Sequence, residues 1–145
     1  MRIALTLAAC ALAAAGCASM ADSGSQTSAA RSANRLVVQV SDNDPAKWNL
    51  ALNNARNVQT DLGEKNVEIE IVAYGPGLNM LKTGSPVAQR IDESMMNGMK
   101  IVACENTMKA QKVTREQILP GVGYVPAGVV EIMHRQQEGW AYLRP

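Results

Sequence analysis

Apolar and polar positions follow two alternating periods along this chain. The run Arg35-Leu36-Val37-Val38-Gln39-Val40-Ser41 is rich in branched apolar residues and predicts a strand. Asp44-Pro45 predicts a helix start, with Asp44 as cap and Pro45 in the first turn. Trp48, Leu52, Ala55, Val58 and Leu62 recur at helical spacing as a core-facing stripe, and Gly63 is the natural stop. From Val67 to Tyr74, Val67, Ile69 and Ile71 alternate with Glu68 and Glu70, a pattern suited to a half-buried or edge strand. Tyr74-Gly75-Pro76-Gly77 predicts a tight loop, followed by a short irregular or helical stretch around 78–82. Ser85-Pro86 opens a helix with Val87, Ile91 and Met95 on its apolar face, and Asn97-Gly98 closes it. Met99 to Cys104 reads as a buried strand, with Asn106 as cap and Thr107 in the first turn of a short helix reaching Lys112. Thr114-Arg115-Glu116-Gln117 fits a capping box, broken by Leu119-Pro120-Gly121. Val122 to Val125, Ala127 to Glu138 and Trp140 to Leu143 read as strand, helix and strand.

Strands that alternate with helices require crossover connections and a mainly parallel sheet. The expected fold class is therefore α/β: one three-layer α/β/α domain with about five strands over residues 34–145. Such a sheet brings three loops to one edge, at 42–44, 75–77 and 104–107. Ligands and reactive groups collect at that edge in open α/β sheets.

The first 33 residues follow neither period. Met1-Arg2 and the uncharged run from Ile3 to Ala15 read as a secretory signal peptide over residues 1–16. The run is shorter than the roughly 20 apolar residues a membrane-spanning helix needs. It ends Leu12-Ala13-Ala14-Ala15-Gly16-Cys17, which resembles a bacterial lipobox with Cys17 as the lipidated residue. An ordinary signal peptide cut near Ala21 is the alternative. The small and polar residues up to position 33 read as a flexible tether. The expected location is outside the cytoplasm, in the periplasm, held to the membrane by a lipid on Cys17 alone.

Charge narrows the picture. The chain has 14 basic and 13 acidic residues, and loss of Arg2 with the leader would balance them. There is no basic, aromatic-rich stripe, so nothing argues for nucleic acid. No loop carries a dinucleotide fingerprint, and Ser41-Asp42-Asn43-Asp44-Pro45 lacks the glycines that let backbone approach a pyrophosphate. Asp42 and Asp44 read as turn formers and caps rather than metal ligands. No metal and no cofactor is expected.

Of three cysteines, Cys10 and Cys17 fall in the targeting segment, which leaves Cys104 for the domain. Its place between a strand end and a helix start favours a thiolate. Asn106 or Thr107 could donate to the sulfur. Glu105 opposes a second negative charge beside it, and no second thiol is at hand to resolve a disulfide. Burial as a small core residue is the competing reading. The single histidine, His134, reads as a surface or boundary residue. Met95, Met96, Met99 and Met108 are soft ligands that, with Cys104, could suit Cu(I), but core packing accounts for them more simply.

From residue 35 onward the chain resembles the DsrE/DsrF-like sulfur-relay family, in particular its exported stand-alone branch. The stretches that carry the resemblance are Val38-Gln39-Val40-Ser41 with Asn53-Asn54-Ala55-Arg56-Asn57, Val72-Ala73-Tyr74-Gly75-Pro76-Gly77, Ala103-Cys104-Glu105-Asn106-Thr107-Met108, and Pro126-Ala127-Gly128-Val129-Val130-Glu131 with Gln137-Glu138-Gly139-Trp140. The resemblance implies a three-layer domain, homo- or hetero-oligomers, and a cysteine at 104 that carries sulfur as a persulfide between a donor and an acceptor protein. One thiol suffices when the sulfur atom is itself the cargo. The expected pocket comprises Asn43, Tyr74, Gly75, Gly77, Asn106 and Thr107 around Cys104. The alternative is a non-catalytic oligomeric binding module that retains the fold.

Overall fold

Branched apolar residues buried on both faces place the first two strands at the centre of a parallel sheet. The computed structural model of the protein describes residues 34–145; the leader at 1–16, the segment 17–33 and Cys17 lie outside the described residues. Strand β1 (Asn34–Val40) pairs along its whole length with β2 (Val67–Ala73). Strand β3 (Lys100–Cys104) adds to β2, and β4 (Gly123–Val125) to β3. Strand β5 (Ala141–Leu143) pairs with the other side of β1. The order is β4-β3-β2-β1-β5, and every pairing is parallel. The fold is α/β with a five-stranded sheet, as the alternation of elements predicts.

Helix α1 (Pro45–Leu62) begins where Asp44 accepts a hydrogen bond from the Ala46 amide at 2.8 Å, and ends at Gly63, whose φ of 87° suits glycine. Trp48, Leu52 and Ala55 are buried as the stripe requires, whereas Leu62 is exposed in the last turn. Helix α2 (Ala88–Met96) buries Ile91, with Val87 just before it. A 3-10 stretch spans Gly75–Leu81. Together with Met108 of α3 (Glu105–Gln111), these elements cover one face of the sheet, over Val38, Ile71, Ile101 and Ala103. The opposite face is smaller. There Val37, Val72, Val102 and Val125 pack with Trp140 and with Ile132 of α4 (Gly128–Gln137).

Two expectations need correction. Strand β2 is central, not an edge, and Glu70 is wholly buried rather than solvated. Arg135 and Lys100 reach its carboxylate at 2.8 and 3.0 Å, and these cations make burial of the charge tolerable. The cap of α3 is also misplaced by sequence reasoning. The helix starts directly at Glu105, so Cys104 itself is the cap residue and Asn106 lies inside the first turn.

Because all five strands run the same way, their carboxyl ends share one edge, and Asn34 enters at the other. Arg144, just past β5, approaches Asp42 beyond β1 at 3.5 Å on the carboxyl edge.

Candidate functional site

Cys104 closes β3 and opens α3 with no intervening loop. Strand alternation puts it on the same side as Val102, the side that α4 covers. The residue is 5% exposed, yet it belongs to neither apolar cluster. Polar groups surround the sulfur instead. The amides of Asn106 and Thr107 face it from the first turn of α3, and the amide of Gly128 from the first turn of α4. Burial pushes the thiol pKa up. The Thr107 hydroxyl and then the Gly128, Thr107 and Asn106 amides pull it down further, and the net position lies below the ordinary thiol range.

Three contacts hold this arrangement. The Gly75 amide donates to Thr107 Oγ1 at 2.9 Å, which leaves the hydroxyl proton free to point at the sulfur. Gln111 donates to the Gly75 carbonyl at 2.9 Å, so the loop after β2 is pinned to α3 through both of its peptide faces. The Asn106 amide also donates to the Pro126 carbonyl at 3.1 Å, tying α3 to the connection before α4. Gly128 lets α4 come this close. A Cβ there would stand 3.0 Å from Tyr74 Cβ and 3.2 Å from both Tyr74 Cδ1 and Val72 Cγ1, tighter than ordinary contact.

Glu105 does not act on the sulfur as its adjacency suggests. Its carboxylate meets Arg115 at 2.6 Å, and Arg115 lies 4.3 Å over the Tyr124 ring. Neighbouring positive charge offsets the acid that would otherwise oppose a thiolate.

The residues expected around Cys104 lie at different distances from it. Thr107 faces Cys104, Gly75 reaches it through Thr107, Tyr74 lies against Gly128, and Asn106 contributes its backbone while its side chain stays exposed. Gly77 serves the neighbouring strand instead. A Cβ there would fall 2.3 Å from the Val40 carbonyl oxygen, so glycine allows the loop to close over the end of β1. Asn43 is exposed beyond β1, two strands from β3, and accepts from Asn79 at 3.1 Å. Gly128 and Arg115 are the residues missed. Pro-Ala-Gly before a helical pattern was the available signal for the first; nothing local marked the second.

Other candidates resolve simply. Asp44 is a helix cap, and Asp42 pairs with Lys47 at 3.3 Å. Among the described residues no group of three or more His, Cys, Asp or Glu side chains could hold a metal. His134 is exposed. Met99 and Met108 are buried in the larger core, on the face away from α4, and Met96 projects into solvent at 79% exposure.

Comparison with known proteins agrees with the fold. The chain superposes on a protein of unknown function, MTH1491, from Methanobacterium thermoautotrophicum, with 38% identity and a TM-score of 0.74, covering 77% of this chain and 99% of that one. A conserved protein of unknown function from Bacteroides thetaiotaomicron, BT1422, shares the fold at 19% identity and a TM-score of 0.66, covering 80% and 99%. The ychN protein of E. coli does so at 10% identity and a TM-score of 0.59, covering 77% and 98%. No curated protein matches the chain. The DsrE/DsrF-like family matches residues 20–145, and with the parallel sheet described above this makes the chain a member of the DsrE/DsrF-like family.

Proposed function

We propose that the protein is a sulfur-relay carrier whose Cys104 thiol holds a sulfane sulfur as a persulfide. The observation that carries this reading is the convergence of two helix starts and the Thr107 hydroxyl on one thiol. Donors so placed stabilise negative sulfur, whether thiolate or persulfide anion. In loading, the Cys104 thiolate attacks the terminal sulfur of a donor persulfide. The donor S–S bond breaks, and the donor thiolate leaves with the electron pair. In unloading, an acceptor thiolate attacks the terminal sulfur on Cys104, and the Cys104 thiolate leaves. Each step is a thiol exchange and needs no external oxidant.

The low exposure of Cys104 favours a second reading, a binding module that retains the fold with an unused thiol. Intact-mass spectrometry separates the two. The full chain, with Cys10 and Cys17 replaced by serine, is reduced and incubated with an inorganic polysulfide, beside the same chain carrying Cys104→Ser. A reductant-labile gain of one sulfur atom that requires Cys104 supports the carrier. No adduct under conditions that modify a free peptide thiol supports the binding module.

The proposal extends to place and assembly. The basic start at Arg2, the uncharged run from Ile3 to Ala15 and the Leu12–Cys17 sequence support export and lipid attachment at Cys17 on the periplasmic side. No helix of the described residues is long and apolar enough to cross a membrane. Lipid labelling that survives in wild type and disappears in Cys17→Ser tests the anchor. Exposed Val129, Val130 and Met133 on α4 support self-association, which light scattering of the purified chain tests.

A further inference from the structure

Helix α4 rests on β2 at three points. Gly128, Ile132 and Arg135 fall at i, i+4 and i+7, one face of the helix. Glu70 and Val72 of β2, and Tyr74 just past its end, are alternate residues on the matching side. Gly128 lies against Tyr74 and Val72, Ile132 joins Val72 in the smaller core, and Arg135 meets Glu70. The helix thus runs antiparallel along the strand in a defined register.

Apolar burial fixes that register weakly. Ile132 is the one large apolar side chain that α4 buries, whereas α1 buries Trp48 and Leu52. The ionic point is stronger. Glu70 Oε2 accepts from Arg135 Nε at 3.0 Å and from Lys100 Nζ at 3.0 Å, and it lies 2.8 Å from the second Arg135 nitrogen. Arg135 is held in turn by Glu131 at 2.9 Å and Glu138 at 3.1 Å, and stacks 4.9 Å from the Trp140 ring. A slip of α4 along β2 would leave Glu70 buried without its arginine. Glu70 Oε1 has no partner even in this register. Such a carboxylate is a poor device for stability, and fixing register is the best-attested use of buried ionic groups.

We propose that Glu70 and Arg135 are positioning residues for Cys104: their ion pair sets the register of α4 on β2 and so holds the Gly128 amide against the sulfur. The distance is short for a rigid rod, since Arg135 lies two turns, about 10 Å, from Gly128. The inference deepens the carrier reading and rests on it for its purpose, but not for its test.

The test uses the full chain with Cys10 and Cys17 replaced by serine, so that Cys104 is the reporting thiol. The pH midpoint of its alkylation by iodoacetamide is measured in Glu70→Gln, in Arg135→Lys, and in Ile91→Val, a control in the core on the other face of the sheet. Glu70→Gln and Arg135→Lys should raise the midpoint by about one pH unit, as expected on losing one amide bond to a charged sulfur. Ile91→Val should leave it in place. An unmoved midpoint in the first two, or an equal shift in all three, overturns the proposal. Should Glu70→Gln fail to fold, Arg135→Lys keeps the cation and decides alone. Polysulfide loading is followed on the same samples. Wild type that never gains sulfur sinks the carrier reading, while the midpoints still decide whether Glu70 and Arg135 position the thiol.

Discussion

Replacing Thr107 by valine keeps the side-chain volume and removes one oxygen that serves two partners. That oxygen accepts from the Gly75 amide at 2.9 Å, and its O–H donates to the Cys104 sulfur. A hydrogen bond to a charged group is worth about 1.5–3 kcal/mol, equivalent to roughly one to two pKa units. The thiol midpoint should therefore rise by about that much in Thr107→Val. Below the midpoint the thiolate population falls with the full shift, but each thiolate becomes more nucleophilic, with a Brønsted slope of about 0.4–0.5. The net loss in alkylation rate at fixed pH is then about three- to sixteenfold. Stability falls too, because the half-buried Gly75 amide loses its acceptor, at the low end of the ~1–3 kcal/mol for an unsatisfied donor. The pH dependence has a definite sign. A thiol whose folded pKa is depressed adds stability above its unfolded pKa, and that stability is lost as pH falls through the folded value. In wild type, stability should rise with pH across that window, and the window should narrow in the valine variant. Iodoacetamide kinetics against pH and urea melts at two pH values measure both effects. An unmoved midpoint in Thr107→Val, or an equal shift in Thr107→Ser, would refute the role given to the hydroxyl.

Three further outcomes follow from the same contacts. Gly128→Ala gains helix propensity but presses a methyl group against Tyr74 and Val72; overpacking of about 1–3 kcal/mol should win, lowering the urea midpoint and raising the thiol pKa together. Gly77→Ala drives a Cβ into the Val40 carbonyl, a backbone atom that cannot turn aside, so a loss at or above ~3 kcal/mol is expected in denaturant melts with little change at Cys104 if the protein folds. Arg115→Gln leaves Glu105 unpaired beside the thiol and should raise its midpoint by about half a unit at low salt, an effect that 1 M sodium chloride removes.

Local features of the chain predicted local structure well. Asp44 and Gly63 bound α1 as their chemistry requires, and the order of strands and helices follows from hydrophobic period alone. The three-loop edge is also legible, because parallel strands leave no other place for those loops. The residues that escaped depend on partners distant in sequence. Glu70 looked like the solvated half of an alternating strand because its arginine lies 65 positions later. Gly128 reaches Cys104 only because β4 pairs with β3, a neighbour relation that no local pattern encodes. Cys104 as its own helix cap was missed for another reason. Preference points to Asn106, but the direct passage from strand to helix leaves the cap position to the last residue of the strand.

The common direction of the five strands has a practical side. Residue 34 enters at one end of β1, and Cys104 sits at the opposite end of the sheet, about 23 Å away along a seven-residue strand. An attachment made at residue 34 therefore lies at the edge of the sheet opposite the thiol. A bead, chip or fusion partner joined at residue 34 leaves the carboxyl edge clear. One joined after Arg144 shares that edge and crowds the approach to Cys104.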